Sequence, residues 1–194
     1  MKKHTAGLFT AIGLMLMTLT ANAAVIEFDV DAKANSSTGG IGLDTGLTYN
    51  AGDTISGFVN ASDLWNAGPL PRWSNADGLI TDLFATESDD SAEAEGTKIG
   101  QAFSDYTQDG FTFAYGTLVG KINSTYFELG TSFDVVSTEA GALSLYYWDS
   151  NNSDNTEFVT VNITSAVPEP STIALFALGT IGLIGFTRLR SRQV

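Results

Sequence analysis

The chain has no cysteine, so disulfides and thiol catalysis are excluded, and an exported domain built from it must hold together by core packing or a bound ion. Its single histidine is His4, close to the N-terminus. A Ser–His–Asp device and a histidine zinc site therefore have no imidazole to use in the rest of the chain. Positive charge is also scarce. All 22 acidic residues fall between Glu27 and Glu169, where only Lys33, Arg72, Lys98 and Lys121 oppose them, a net of −18. Such a surface repels nucleic acid and anionic membranes and favours solubility and divalent cations. No phosphate-binding or dinucleotide glycine loop stands at a strand–helix junction, and no catalytic constellation is expected.

What is present is organised in three parts. Lys2, Lys3 and His4 precede an apolar stretch, Ala6 to Leu19, and then Ala21-Asn22-Ala23. That order is a secretory signal, residues 1–23, with Ala21 and Ala23 at the positions read by the peptidase and Ala24 as the mature start. At the other end, Ser171 to Thr187 are 17 uncharged residues followed by Arg188, Arg190 and Arg192. At 1.5 Å per residue a helix there spans roughly 25 Å, the short end of what crosses a bilayer. The basic tail, residues 188–194, favours the cytoplasmic side, which puts the domain outside.

The middle, residues 24–166, reads as strand, turn, strand. Val25–Ala32 alternates apolar and polar side chains, and Asn50-Ala51-Gly52-Asp53 is a turn signal between two apolar runs. Gly110–Ile122 and the short runs after it are rich in β-branched and aromatic residues and punctuated by Gly, Asn, Asp or Ser. The expectation is an all-β, antiparallel β-sandwich of jelly-roll type with seven to nine strands. Residues 85–96 break the pattern. Five acids lie between Glu87 and Glu95 without a large apolar side chain, which predicts an exposed acidic loop.

Leu143–Ile163 is the densest cluster of hard oxygen donors, with Asp149, Asn151, Asn152, Asp154 and Asn155 between two strands. Asp149-x-Asn151-x-Ser153 mimics the start of a calcium hand. The turn glycine is missing, however, and Thr160 stands where the last acidic ligand belongs. Asp and Asn also crowd such loops for conformational reasons alone.

Two resemblances add to this reading. Val167-Pro168-Glu169-Pro170, the apolar segment and the arginine-rich end together resemble the PEP-CTERM sorting signal over Val167–Val194. The resemblance implies recognition by an exosortase, a membrane transpeptidase of Gram-negative bacteria that make exopolysaccharide. It also implies passage through the inner membrane to the cell surface or extracellular matrix. Within the domain, "GDTISGFVNASDLWNAGPLPRW", "YGTLVGKI", "GALSLYYWDS" and "DNTEFVTVNI" resemble, in that order, the PA-IL type of calcium-dependent bacterial galactose lectin, a small β-sandwich. The resemblance implies a Ca²⁺ ligand set of Asp149, Asp154, Asn155 and the main-chain carbonyl of Ala67, with Trp73 and Trp148 near a sugar. The chain departs from that family in a shorter loop after Asp149, an acid in place of one of two paired amides, and the absence of the His-Pro-x-Gln segment that grips galactose. The leading expectation is a non-enzymatic surface or matrix protein that binds polysaccharide with calcium. A structural or adhesive matrix protein, and a carboxylate-based glycoside hydrolase, are the alternatives.

Overall fold

The structure, a computed structural model, describes residues 23–166. The signal segment and the tail with Val167, Pro168, Glu169, Pro170 and the three arginines lie outside the described residues, apart from Ala23, which begins the first strand. Among the described residues no helix is long and apolar enough to cross a membrane.

Two four-stranded sheets face each other. The first has the order β1 (Ala23–Asp31), β14 (Phe158–Ala166), β3 (Thr54–Val59) and β12 (Ser132–Val136). In the second the order is β11 (Thr125–Glu128), β10 (Leu118–Ile122), β13 (Gly141–Tyr147) and β2 (Leu43–Tyr49). The pairs β3–β12, β3–β14, β10–β11, β10–β13 and β13–β2 are antiparallel. Alternation along each strand decides what faces inward. Val30, Ile55, Phe133, Val159, Val161 and Ile163 of the first sheet meet Leu118, Ile122, Leu143, Leu145 and Tyr147 of the second in one buried cluster. The protein is thus an antiparallel β-sandwich, with eight strands in its two layers.

Three two-stranded ribbons complete the fold: β4 (Trp65–Asn66) with β5 (Trp73–Ser74), β6 (Leu83–Phe84) with β7 (Lys98–Gly100), and β8 (Asp105–Gln108) with β9 (Phe111–Ala114). Sequence patterning underestimates the strand number because a two-residue strand has no period to read. The β8–β9 ribbon lies on the outer face of the second sheet. There Tyr106, Phe111 and Phe113 pack on Val119, Tyr126 and Trp148. This accounts for a strand, β10, that is buried on nearly every side chain.

The Asn50–Asp53 turn is present, closed by Asp53 N–H donating to the Asn50 carbonyl at 3.0 Å and by Asn50 N–H donating to Asp53 Oδ2 at 2.7 Å. It does not make a hairpin. It carries the chain from β2 in the second sheet to β3 in the first, because each apolar run has its own layer to join.

The acidic segment is an excursion pinned at its base. Ala85 N–H donates to Thr97 O, and Gly96 N–H donates to Ala85 O. Ala85 and Ser91 are buried, and nearly everything else from Thr86 to Gly96 is exposed. Asp89 organises it by accepting hydrogen bonds from both main chain and hydroxyl of Thr86 and Ser91.

Candidate functional site

The alternation of β13 turns Tyr147 into the core and leaves Trp148 on the opposite face. Asp149 is the second residue beyond the strand, which ends at Tyr147. The segment after β1 is laid along this end: Tyr147 N–H donates to Asn35 O, and Ser37 N–H to Tyr147 O. Asp149 is shut in as a result, with 4 % of its surface exposed. Its Oδ1 accepts from Ser150 N–H at 2.6 Å. Burial pushes its pKa up, with nearby Asp154 adding to the rise, against hydrogen bonds from Asn155, Ser150 and Asn151 that favour the charged form.

Asp154 stands across the same loop. Its Oδ1 accepts from Asn151 Nδ2 at 2.9 Å. The loop is fastened to the segment after β1 by Lys33 Nζ donating to Ser153 O and Asn152 Nδ2 donating to Lys33 O. Asn155 is 2 % exposed. Its Nδ2 donates to Ala32 O at 3.0 Å, while its Oδ1, closed off from solvent, has no hydrogen-bond donor. The Tyr147 hydroxyl is likewise buried without a partner. Burial, then Asp149 and Asp154, push its pKa well above the usual tyrosine value, so it stays protonated.

The opposite wall comes from the turn between β4 and β5. Asn66 and Thr156 exchange both main-chain hydrogen bonds at 3.1 Å, which ties this turn to the end of the Asp149–Asn155 loop. Gly68, with φ of +122°, comes so close that a Cβ there would lie 2.5 Å from Asp154 Oδ2. A glycine is required at this contact on both counts.

Between these walls is a cleft of about 230 Å³ that opens to solvent. Ala67, Asp149, Asn151 and Asp154 line it together with Ser150, Arg72, Phe103 and Tyr115. Three of the four residues implied as calcium ligands, Ala67, Asp149 and Asp154, thus share one cleft, and Asn155 is buried beside Asp149. Among the described residues no group of three or more His, Cys, Asp or Glu side chains is placed to hold a metal ion. A cation here would depend on amide and main-chain oxygens to complete its shell.

The tryptophans are placed differently from expectation. Trp148 is fully buried, its ring against Tyr106, Phe113 and Tyr126 and its Nε1 donating to Tyr106 O at 2.9 Å. The expectation that it offers a face to sugar is corrected: a ring so enclosed serves the core under the β8–β9 ribbon. Trp73, 8 % exposed, packs with Leu64, Ala85 and Ile99 in a satellite cluster and touches a separate, smaller cleft near Asn75 and Asp77. It does not line the Asp149 cleft.

Sequence reasoning missed Arg72, Phe103 and Tyr115 as cleft residues. The available signal was Arg72 itself, the lone arginine between Glu27 and Glu169, immediately after Gly68-Pro69-Leu70-Pro71.

Comparison with known proteins gives two matches. A solved structure described as the EclA N-terminal domain, a PllA-like lectin, is similar at 17 % identity and a TM-score of 0.46, covering 75 % of this chain and 98 % of that one. No curated protein matches. Residues 166–191 match the PEP-CTERM protein-sorting motif, a span that takes in Val167, Pro168, Glu169, Pro170, Arg188 and Arg190 and stops just before Arg192. The chain therefore carries a PEP-CTERM sorting motif, which implies export and exosortase-dependent sorting to the cell surface.

Proposed function

We propose that the protein is an exosortase-processed surface or matrix protein whose β-sandwich binds carbohydrate through a divalent cation of the calcium type. Asp149, Asp154, the Asn155 side-chain oxygen and the Ala67 carbonyl are the residues that would hold the ion. The observation that carries the reading is the pairing of a buried carboxylate, Asp149, with an orphaned buried amide oxygen on the neighbouring Asn155. Leaving a buried carboxylate and a buried acceptor without a cation or donor is costly, and hard oxygen donors of this kind suit Ca²⁺. When bound, the ion supplies a Lewis-acidic centre that sugar hydroxyls can ligate. The chain's own part is to fix the two aspartates, Asp154 by Asn151 and Asp149 by Ser150, and to shield Asp149 from bulk water.

Calorimetric titration of Ca²⁺ into the full chain in non-ionic detergent tests this. Stoichiometric binding that is abolished in Asp149→Ala and weakened in Asp154→Ala, with a rise in melting temperature in the parent chain only, is the expected result. No heat and an unchanged melting temperature would sink the cation reading and leave the structural or adhesive matrix role. Sorting is tested separately. In a host that has the exosortase, replacing Pro168 and Pro170 by Ala is expected to leave the chain uncleaved by mass spectrometry. Normal processing of that variant would exclude the Pro-Glu-Pro segment as the recognised element.

A further inference from the structure

Arg72 is held where it is by its main chain and its ring neighbour. Its carbonyl accepts from Ala67 N–H at 3.0 Å, and it bridges antiparallel to Gly100. Its guanidinium carbon sits 4.8 Å from the centroid of Phe103, which in turn meets Tyr115 edge-to-face at 5.3 Å. Tyr115 stacks on Tyr106 and its hydroxyl donates to Ser150 Oγ at 3.1 Å. The guanidinium is thus oriented by a chain of rings that runs back into the core, and orientation of this kind reduces the entropy lost when the fork meets a partner.

In a domain with so large a surplus of carboxylates, an arginine is expected to be paired. Among the described residues the one ion pair is Lys98–Asp82 at 2.9 Å. Arg72 lines the cleft with Asp149 and Asp154 yet pairs with neither. The cleft's formal charges then decide what it accepts. Two aspartates and one arginine leave it one charge negative; a bound divalent cation makes it one charge positive. A neutral sugar uses none of that residual charge. A planar carboxylate on a hydroxylated ring uses both parts, its hydroxyls facing the ion and its carboxylate taking the guanidinium fork. The size agrees. At about 230 Å³ the cleft is below the roughly 300–1,000 Å³ of typical ligand pockets, so it takes one ring of a longer polymer. Phe103, 47 % exposed, offers that ring an apolar face.

We propose that this cleft selects a uronic acid, with Arg72 as the residue that reads the sugar carboxylate and the cation as the switch that turns the cleft from anion-repelling to anion-accepting. The inference rests on the cation-dependent carbohydrate reading above. The acidity of the rest of the domain works against any anion until the ion is in place, which makes binding conditional on it.

The test is a matched trio of probes, D-galacturonic acid, its methyl ester and D-galactose, titrated into the full chain in non-ionic detergent with excess Ca²⁺. Sodium acetate serves as the bare-anion control. Galacturonate is expected to bind about tenfold or more tightly than the ester and galactose, in keeping with one charge-assisted fork. Acetate is expected to fall far behind it, and EDTA to abolish binding. Arg72→Ala is expected to erase the preference while Ca²⁺ still binds stoichiometrically, which shows that the variant is folded. Arg72→Lys is expected to keep part of it. Equal binding of the three sugars, binding of none while Ca²⁺ binds, a preference that survives Arg72→Ala, or acetate binding as tightly as galacturonate would each overturn the inference and leave the cation reading standing. Absence of Ca²⁺ binding in the parent chain would overturn both.

Discussion

At the scale of single residues, the acidic side chains are less a surface coating than wiring for loops. Asp77 accepts from both the main chain and the hydroxyl of Thr131, Asp63 from Thr160 N–H, and Asp90 from Leu64 N–H. Each satisfies a backbone donor that a sandwich with short strands leaves unpaired. Asp149 differs, because burial outweighs the hydrogen bonds it receives. Its pKa is raised in the folded state, so the fold holds a proton more tightly than the unfolded chain does. Without a cation its contribution to stability falls as pH rises from the ordinary aspartate range through the raised value. Asp149→Asn is therefore expected to raise the melting temperature at neutral pH in EDTA and to lower it relative to the parent chain in Ca²⁺. Scanning calorimetry of both proteins in both buffers checks this crossing, and a variant less stable in EDTA would refute the account of Asp149 as an uncompensated buried charge. At Gly68, a Cβ would strike Asp154 and sit at a left-handed φ. Gly68→Ala is expected to cost roughly 1–3 kcal/mol by chemical denaturation, with Ca²⁺ affinity reduced as Asp154 is pushed aside.

At the scale of elements, the β8–β9 ribbon determines the fate of the aromatic residues. Residues Gly110–Ile122 read as continuous strand material, but the chain turns at Gly116, with φ of +79°, and places Phe111–Ala114 on the outside of the sheet to which Leu118–Ile122 belongs. That covers Trp148. Trp148→Ala is expected to destabilise the domain by about 3–5 kcal/mol, the range for removing a large buried aromatic, and a loss below 1 kcal/mol in urea denaturation would show that the ribbon is not packed as described. The alternating strands were legible because period 2 is a property of neighbouring residues: Leu143, Leu145 and Tyr147 face inward by spacing alone. Which of two layers a strand joins was not legible, as the Asn50–Asp53 turn shows. Nor was the choice of a tryptophan as core or contact, since both uses need the same side chain.

At the scale of the whole molecule, the surplus of negative charge and the raised pKa values act together. Asp63 is pushed up by burial, with Asp90 and Asp29 adding to it, in the same direction as Asp149. Glu139, which accepts from Thr125 and Asn123, and Asp89 are shifted down; their stabilising contribution is present above their unfolded values and lost as pH falls through the folded ones. In EDTA the melting temperature is therefore expected to rise as pH is lowered from neutrality toward the upper edge of the carboxylate range, and to fall below it. Ca²⁺ is expected to flatten the upper limb of that curve. Circular dichroism melts across pH with and without the ion check this, and a curve unchanged by Ca²⁺ would speak against a coupled site.

Taken alone, the sequence determined what depends on residue type and local spacing. It excluded thiol and histidine chemistry from the domain, specified antiparallel strands by alternation, and spelled out the sorting motif as a contiguous run. It also drew together Asp149, Asp154 and Asn155, which are neighbours along the chain. Ala67 joined them only through the family resemblance; the tertiary structure tied its turn to that loop through the Asn66–Thr156 hydrogen bonds, added Arg72 to the cleft, left Asn155 Oδ1 without a donor and enclosed Trp148. Those features depend on contacts between residues tens of positions apart, whose energies are set by burial and geometry rather than by any pattern along the chain.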